Sequence, residues 1–331
     1  MSGARYLVLG SNSFSGASFV RWLADQGHEV LAASRSPEPH TALLPYTWSD
    51  HADAVRFFQI DINHDLDRLA GLLSAENPTH VVNFAAQSMV GESWDHPDHW
   101  MMTNVVSTVR LHEILRAHKR LERYVHVTTP EVYGSTDGWV SEGAPFNPST
   151  PYAVSRAAAD MSLRTYVARY NFPAVSTRAA NVYGPGQQLY RIIPRTILAA
   201  IGGQKLRLDG GGTSVRVFIH MDDVSDATFR IAERGEIGED YHISGTELIS
   251  IRALVEMILN KLGKSFEDCV ELGPERPGKD TTYQLASDRL RRTLGWSDSI
   301  SLSNGIDGVI AWADRFKDVL HQLPSRYEHK P

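Results

Sequence analysis

Three side chains in this sequence have the types and spacing to move a proton and break a C–H bond. Thr129 and Glu131 stand in Thr128-Thr129-Pro130-Glu131-Val132-Tyr133-Gly134, directly after the apolar run Tyr124–Val127. Tyr152 follows in Thr150-Pro151-Tyr152-Ala153-Val154-Ser155-Arg156, with Arg156 one helical turn behind it. A free tyrosine ionises near pH 10 (about), and a cation one turn away lowers that value, so Tyr152 reads as a general base. Thr129 reads as its hydrogen-bonding companion. Those two suffice for simple reduction or oxidation. Glu131 is a second acid/base and implies that a further C–H bond is broken.

Chemistry of this kind borrows a hydride from a dinucleotide, and the N-terminus carries a turn suited to one. Gly10-Ser11-Asn12-Ser13-Phe14-Ser15-Gly16 lies between an apolar strand, Tyr6–Leu9, and an amphipathic helix. Backbone N–H groups at a helix start attract phosphate, and small residues allow close approach. Ser13 occupies the middle position of the glycine pattern, so Gly10 and Gly16 carry it. The second strand ends in Ala33-Ser34-Arg35-Ser36-Pro37, with no acid before Glu38. An acid there usually holds the ribose hydroxyls of NAD. Arg35 can instead pair with a 2′-phosphate, with Ser34 and Ser36 as donors, so the reading favours NADP(H), with NAD(H) possible. Asp61 and Ile62 end the third strand, and Phe84-Ala85-Ala86 ends the fourth. Together with Asn12, Ser13 and Phe14, and with Asn104 as a buried support, they complete the expected cofactor set, which Tyr152 and Arg156 also join.

Strands alternate with helices through the first half of the chain. Short apolar runs at 6–9, 28–33, 56–60, 80–84, 123–127 and 174–178 read as strands; 14–26, 66–75, 99–118 and 152–170 read as helices. That alternation predicts an α/β fold, a doubly wound parallel sheet covered on both faces. After Pro185 it weakens, and Gly202-Gly203, Gly210-Gly211-Gly212 and Gly273-Pro274 punctuate shorter elements. The expected division is residues 1–185 for the dinucleotide, with returning segments around 215–245, and residues 186–331 for the substrate in a smaller, discontinuous domain. The tail Tyr327–Pro331 reads either as disorder or as packing.

Composition narrows the class. The chain has 331 residues, 42% hydrophobic and 22% charged, with net charge −6, which gives no footprint for nucleic acid. One cysteine, Cys269, excludes an internal disulfide and fits a reducing compartment. No secretory segment or membrane span is legible at the N-terminus or elsewhere, so a cytoplasmic location is expected. His96 and His99, beside Asp95 and Asp98, read as helix-start caps and not as a metal site. Trp94, Trp100, Met101 and Met102 read as core or subunit contacts.

Taken together, these motifs resemble the extended short-chain dehydrogenase/reductase family in its nucleotide-sugar 4,6-dehydratase branch. The resemblance runs from the phosphate turn through Arg178-Ala179-Ala180-Asn181-Val182-Tyr183-Gly184-Pro185-Gly186 to Arg276-Pro277-Gly278-Lys279-Asp280. Asn83–Ser88 is similar to GDP-mannose 4,6-dehydratases, and Leu189–Pro194 to dTDP-glucose enzymes. Gly10–Gly16, Thr129–Tyr133 and Tyr152–Asp160 are similar above all to the GDP-N-acetylglucosamine dehydratase of legionaminic acid biosynthesis. The resemblance implies a Rossmann-type sheet and a homodimer or homotetramer joined through the 99–118 and 152–170 helices. It also implies a cycle in which Tyr152 and Thr129 serve the sugar O4 and Glu131 serves C5 and the C6 hydroxyl. Gln87, Ser88, Glu131, Arg178, Asn181, Arg191, Arg216 and Arg276 match positions near the nucleotide sugar. Two departures stand out: Arg156 replaces the family lysine, and Pro130 replaces the aspartate of the dTDP-glucose enzymes. UDP-glucuronate decarboxylases, 4-epimerases and a non-enzymatic cofactor sensor are the competing expectations.

Overall fold

The computed structural model describes residues 5–136, 138–274 and 284–331. Strands β1 (Tyr6–Leu9), β2 (Val30–Ser34), β3 (Val55–Gln59), β4 (His80–Asn83) and β5 (Arg123–Thr128) form one parallel sheet with Ala174–Ala179 and Asp240–Ile243. The spatial order runs Asp240–Ile243, Ala174–Ala179, β5, β4, β1, β2, β3. The chain therefore steps one way from β1 through β3 and the other way from β4 onward. A crevice opens between β1 and β4, where the direction reverses, at the C-terminal ends of the strands.

Both faces of the sheet are covered, which explains the near-continuous apolar strands. Tyr6 and Val8 face one core with α1 (Phe14–Asp25) and the helix Met221–Arg234. Leu7 and Leu9 face the other, with α2 (Leu66–Glu76), Leu111, Leu115 and Leu163. A separate apolar cluster of Tyr183, Leu189, Ile193, Ile306 and Trp312 supports the C-terminal elements. There Val215–His220 pairs in parallel with Asn181–Tyr183 and antiparallel with Leu248–Ser250. Asp240–Ile243 returns to the main sheet beside Ala174–Ala179.

The helix expected over 99–118 is one continuous rod, but not a uniform one. It opens as α3 (Pro97–Met101), widens to π geometry over Met102–Ser107 and resumes as α4 (Thr108–Ala117). Apolar periodicity does not report a π turn, and such turns often sit at functional sites. Next to it lies α5 (Pro151–Tyr170). Thr150 caps α5 by accepting from the Ala153 amide at 3.1 Å, Pro151 fills the first position and Asn171 ends it with φ 50°.

Candidate active site

The phosphate turn is shaped by two glycines that tolerate no side chain. Gly10 has φ 77°, and a Cβ there would lie 2.6 Å from the Ala85 amide nitrogen. At Gly16 a Cβ would lie 2.2 Å from the Gly10 carbonyl oxygen. Ser13 needs no glycine, because its φ is −73°. Its hydroxyl donates to the Gly10 carbonyl at 2.7 Å and accepts from the Gly16 amide at 3.0 Å, capping α1. Phe14, the first helical residue, turns its ring into the core. Asn12 bridges the turn to the end of β2: its side-chain amide donates to the Ser36 and Pro37 carbonyls at 2.8 and 3.0 Å.

A cavity of about 240 Å³ opens over this turn, lined by Gly10, Asn12, Ser13, Ser34, Arg35, Ser36, Asp61, Ile62 and Phe84–Ala86. Every one of these residues is in the expected cofactor set. Ser11 Oγ and Asn12 Oδ1 are buried beside it with no hydrogen-bond partner among the described residues. A glycine cradle, a helix N-terminus and orphaned polar atoms fit a dinucleotide. The sequence reading missed Leu9, Ala33, Ile60, Asn63 and Thr103, which also line the cavity. Asn63 donates to Thr103 Oγ1 at 3.0 Å, a link between distant segments that no local pattern signals.

The acid/base groups meet beyond the end of β5. Thr129 sits in extended conformation and starts a single helical turn, Pro130–Tyr133, which swings Glu131 back toward it. The Thr129 hydroxyl donates to Glu131 Oε2 and hydrogen-bonds Tyr152 from the other side. Tyr152 is 7% exposed. Burial and the Glu131 charge push its pKa up to about 12, against the opposing pull of Arg156, the Thr129 hydrogen bond and Arg191. The expectation that Arg156 alone would bring the phenol below its ordinary value is therefore corrected. Its charge acts in that direction and loses to burial.

Arg156 is 3% exposed. Its guanidinium donates to the Val127 carbonyl, tying α5 to the end of β5. That tie sets the spacing between Tyr152 on the helix and Thr129 after the strand.

Asn104 is the buried support the sequence suggests and not a direct cofactor contact, and one expected substrate contact, Arg178, is corrected. Asn104 is fully buried and offers no surface to a cofactor. It accepts from the Gln87 amide at 2.9 Å and donates to the Gln87 carbonyl and Ser155 Oγ, each at 2.9 Å. It sits in the π segment and locks the loop after β4 onto α5 directly below Tyr152. Arg178 does not reach the crevice either. It is 0% exposed and paired with Asp160 at 2.6 Å and Asp240 at 3.2 Å, which leaves no guanidinium face for a diphosphate. Asp160 was missed as a site-supporting residue, though its position four after Arg156 on the same helix face was the available signal.

The other expected substrate residues are spread along the crevice. Gln87 is buried and Ser88 exposed at the end of the β4 loop. Arg191 is exposed, with its guanidinium 5.5 Å from the Tyr190 ring centre, and its charge reaches Tyr152. Asn181 donates to the Val217 carbonyl of the neighbouring strand at 3.0 Å, and Arg216 to the Val215 carbonyl of its own strand at 2.8 Å. Arg276 lies outside the described residues. His96 begins α3 without a side-chain capping bond, contrary to expectation, and lies nearly parallel to His99 with ring centres 5.1 Å apart. Trp100 is core, whereas Trp94 is 63% exposed.

Comparison with known proteins places this geometry. Residues 7–309 match the family model for GDP-mannose 4,6 dehydratase. The chain is 33% identical over 317 residues to a dTDP-glucose 4,6-dehydratase of Mycobacterium tuberculosis, covering 93% of this chain and 92% of that one. It superposes on the dTDP-glucose 4,6-dehydratase of Streptomyces venezuelae, solved with NAD bound, with TM-score 0.85 and 32% identity over 95% and 98% of the two chains. A UDP-glucuronic acid 4-epimerase from Bacillus cereus, solved with NAD and UDP-glucuronic acid, is also similar, with TM-score 0.83 and 26% identity over 94% and 99%.

Proposed function

This chain belongs to the GDP-mannose 4,6-dehydratase family, within the extended short-chain dehydrogenase/reductases, and we propose that it dehydrates a nucleotide-diphosphosugar to the 4-keto-6-deoxy sugar. The observation that carries the reading is the contact of Thr129 with both Glu131 and Tyr152. An oxidoreductase acting only at C4 has no use for that carboxylate.

In this reading Tyr152 takes the proton from the sugar O4 as a tyrosinate, the form that the Arg156 charge and the Thr129 hydrogen bond favour against burial, while Thr129 hydrogen-bonds the same oxygen. A bound nicotinamide supplies the acceptor for the C4 hydride and its donor at C6. A ketone at C4 makes the C5 hydrogen acidic, and the Glu131 carboxylate removes it. Pro130 has no acidic group, so Glu131 then gives its proton to the C6 hydroxyl, which leaves as water. A proton returned to C5 completes the product. Arg156 holds strand and helix at the spacing these transfers need.

The family binds a pyridine dinucleotide, and Ser34, Arg35 and Ser36 at the end of β2 support NADP(H) for this chain, although the relatives solved with a cofactor carry NAD. Residues 1–185, with returning segments around 215–245, serve the cofactor, and 186–331 the sugar nucleotide, with Gln87, Ser88, Asn181, Arg191, Arg216 and Arg276 as candidate contacts. Pro130 and the Gln87-Ser88 pair favour a GDP- or UDP-linked hexose or N-acetylhexosamine, the legionaminic acid precursor among them. Val154 and Met161 on α5 and Met102 and Val106 beside it are exposed apolar side chains, which supports pairing of two copies through these helices. Among the described residues no helix is long and apolar enough to cross a membrane. The lone cysteine is consistent with a reducing cytoplasm.

The test is a panel of GDP-, UDP- and dTDP-linked sugars incubated with purified protein in deuterated water. Loss of water with deuterium at C5 is expected for at least one. Carbon dioxide from a glucuronate, or a C4 isomer of unchanged mass, would instead establish a decarboxylase or an epimerase. Silence across the panel with cofactor bound would favour a sensor.

A further inference from the structure

The end of the chain is tied to both flanks of the phosphate turn, and its attachments are specific. The main-chain oxygen of Lys330 accepts from Gln87 Nε2 at 2.6 Å. The main-chain oxygen of Pro331 accepts from the Arg35 guanidinium. Gln87 follows the end of β4 and Arg35 the end of β2, and in the sheet β1 lies between those strands. Parallel neighbours lie about 4.8 Å apart, so the two anchors stand on either side of the Gly10 turn with the segment bridging above it.

Upstream, His329 fits against aromatic rings at the start of α3. Its ring is nearly parallel to Trp100, His99 and His96, with centres 5.0, 5.1 and 5.4 Å away. His99 Nδ1 and His329 Nε2 share a hydrogen bond of 2.8 Å. Tyr327 packs edge-on against Tyr190 at 5.9 Å and its hydroxyl reaches His329 Nδ1 at 3.3 Å. The segment therefore runs from Tyr190, beside Arg191, past Gln87 to Arg35 at the end of β2, and of these anchors Arg35 lines the cavity.

We infer that residues 327–331 form the outer wall of the dinucleotide site, a strap latched through His329 that slows release of the bound cofactor. The inference rests on the dehydratase reading for its purpose: a cofactor restored in every turnover gains nothing from exchange. It does not rest on that reading for its test. The latch also has a defined response to pH. The 2.8 Å imidazole pair needs one ring nitrogen free of a proton, and the groups facing it are His96, Arg35, Tyr327, Glu92 and Asp98, the last 3.9 Å from His99. Burial and the neighbouring His99, His96 and Arg35 lower the His329 pKa, against Glu92. The seated strap thus binds a proton less readily than the free one, so it is stable above the ordinary histidine range and is lost as pH falls through it.

The experiment is a chase of bound NADPH or NADH, read by its fluorescence, from the full chain, from a chain ended after Leu323 and from His329→Ala, all without sugar. Release at least about tenfold faster from both variants at pH 8 is expected, with full-chain release accelerating toward pH 5.5 and the truncated chain insensitive over that range. Release rates within about twofold of the full chain in both variants would overturn the strap. Faster release with the same pH dependence in all three would overturn the imidazole latch. Failure of the dehydratase assay leaves these rates, and what they decide, untouched.

Discussion

Asp160 lies 2.6 Å from the Arg178 guanidinium, and neither side chain has measurable contact with solvent beyond 1%. The same carboxylate oxygen accepts from Thr128 Oγ1 at 3.1 Å, and the other lies 3.3 Å from His126 Nε2. The pair therefore anchors the last residue of β5, Thr128, to α5 next to Thr129, and Arg156 adds a second tie one residue back, at Val127.

Breaking that anchor from one side strips a buried charge of its nearest partner, which for Arg178 leaves only Asp240 at 3.2 Å. Asp160→Asn or Arg178→Met is expected to cost about 3–5 kcal/mol of stability, read as a fall in Tm and urea midpoint, and Asp160→Leu combined with Arg178→Met much less. The Arg178 and His126 neighbours hold the Asp160 carboxyl well below the usual carboxylate range, although burial alone opposes them. Its contribution is present above the ordinary carboxylate pKa and is lost as pH falls, so the wild type should lose stability on acidification more steeply than Asp160→Asn.

Tyr152→Phe is expected to lower turnover by about 10²–10⁴-fold, the range for a general acid/base. Its pKa of about 12 lies above the ordinary phenol value, so the buried phenol stabilises the fold up to the unfolded pKa and that contribution disappears as pH rises toward 12. Unfolding titrations between pH 10 and 12 should therefore show a steeper loss in wild type than in Tyr152→Phe.

Arg156 separates charge from geometry. Arg156→Lys keeps the cation and is expected to lose mainly the donor to Val127, about 1.5–3 kcal/mol of stability, with a smaller drop in kcat than Arg156→Met, which raises the Tyr152 pKa further. Equal kcat losses in the two variants would show that only the tie matters.

Arg35→Ala tests cofactor choice. A charge-assisted contact to a 2′-phosphate is worth about 1.5–3 kcal/mol, so NADP(H) should weaken by about ten- to a hundredfold more than NAD(H), which loses only the strap's anchor at Pro331. Equal weakening of both would remove Arg35 from the phosphate and leave its role with the strap.

Much of this arrangement was legible in the chain. Apolar runs separated by helical periods specify a doubly wound sheet, and Gly10, Gly16 and Asp61 mark where its crevice must lie. The acid/base residues stood out because their order along strand and helix ends is rare by chance. Arg178 was misread because a polar residue in a motif gives no sign of which way it faces: the sheet buries it against Asp160, whereas Asn104, read as a buried support, is directed by the π turn at Gln87. The sequence left the tail open between disorder and packing, since contacts such as that of His329 with His99 depend on the whole fold bringing distant segments together.

Glu131→Gln, followed by NMR in deuterated water with a substrate the wild type turns over, probes the core of the mechanism. The variant should still oxidise C4, leaving a reduced cofactor and a 4-keto sugar, while water loss and deuterium incorporation at C5 fall by about 10²-fold or more. Undiminished water loss from Glu131→Gln would contradict it.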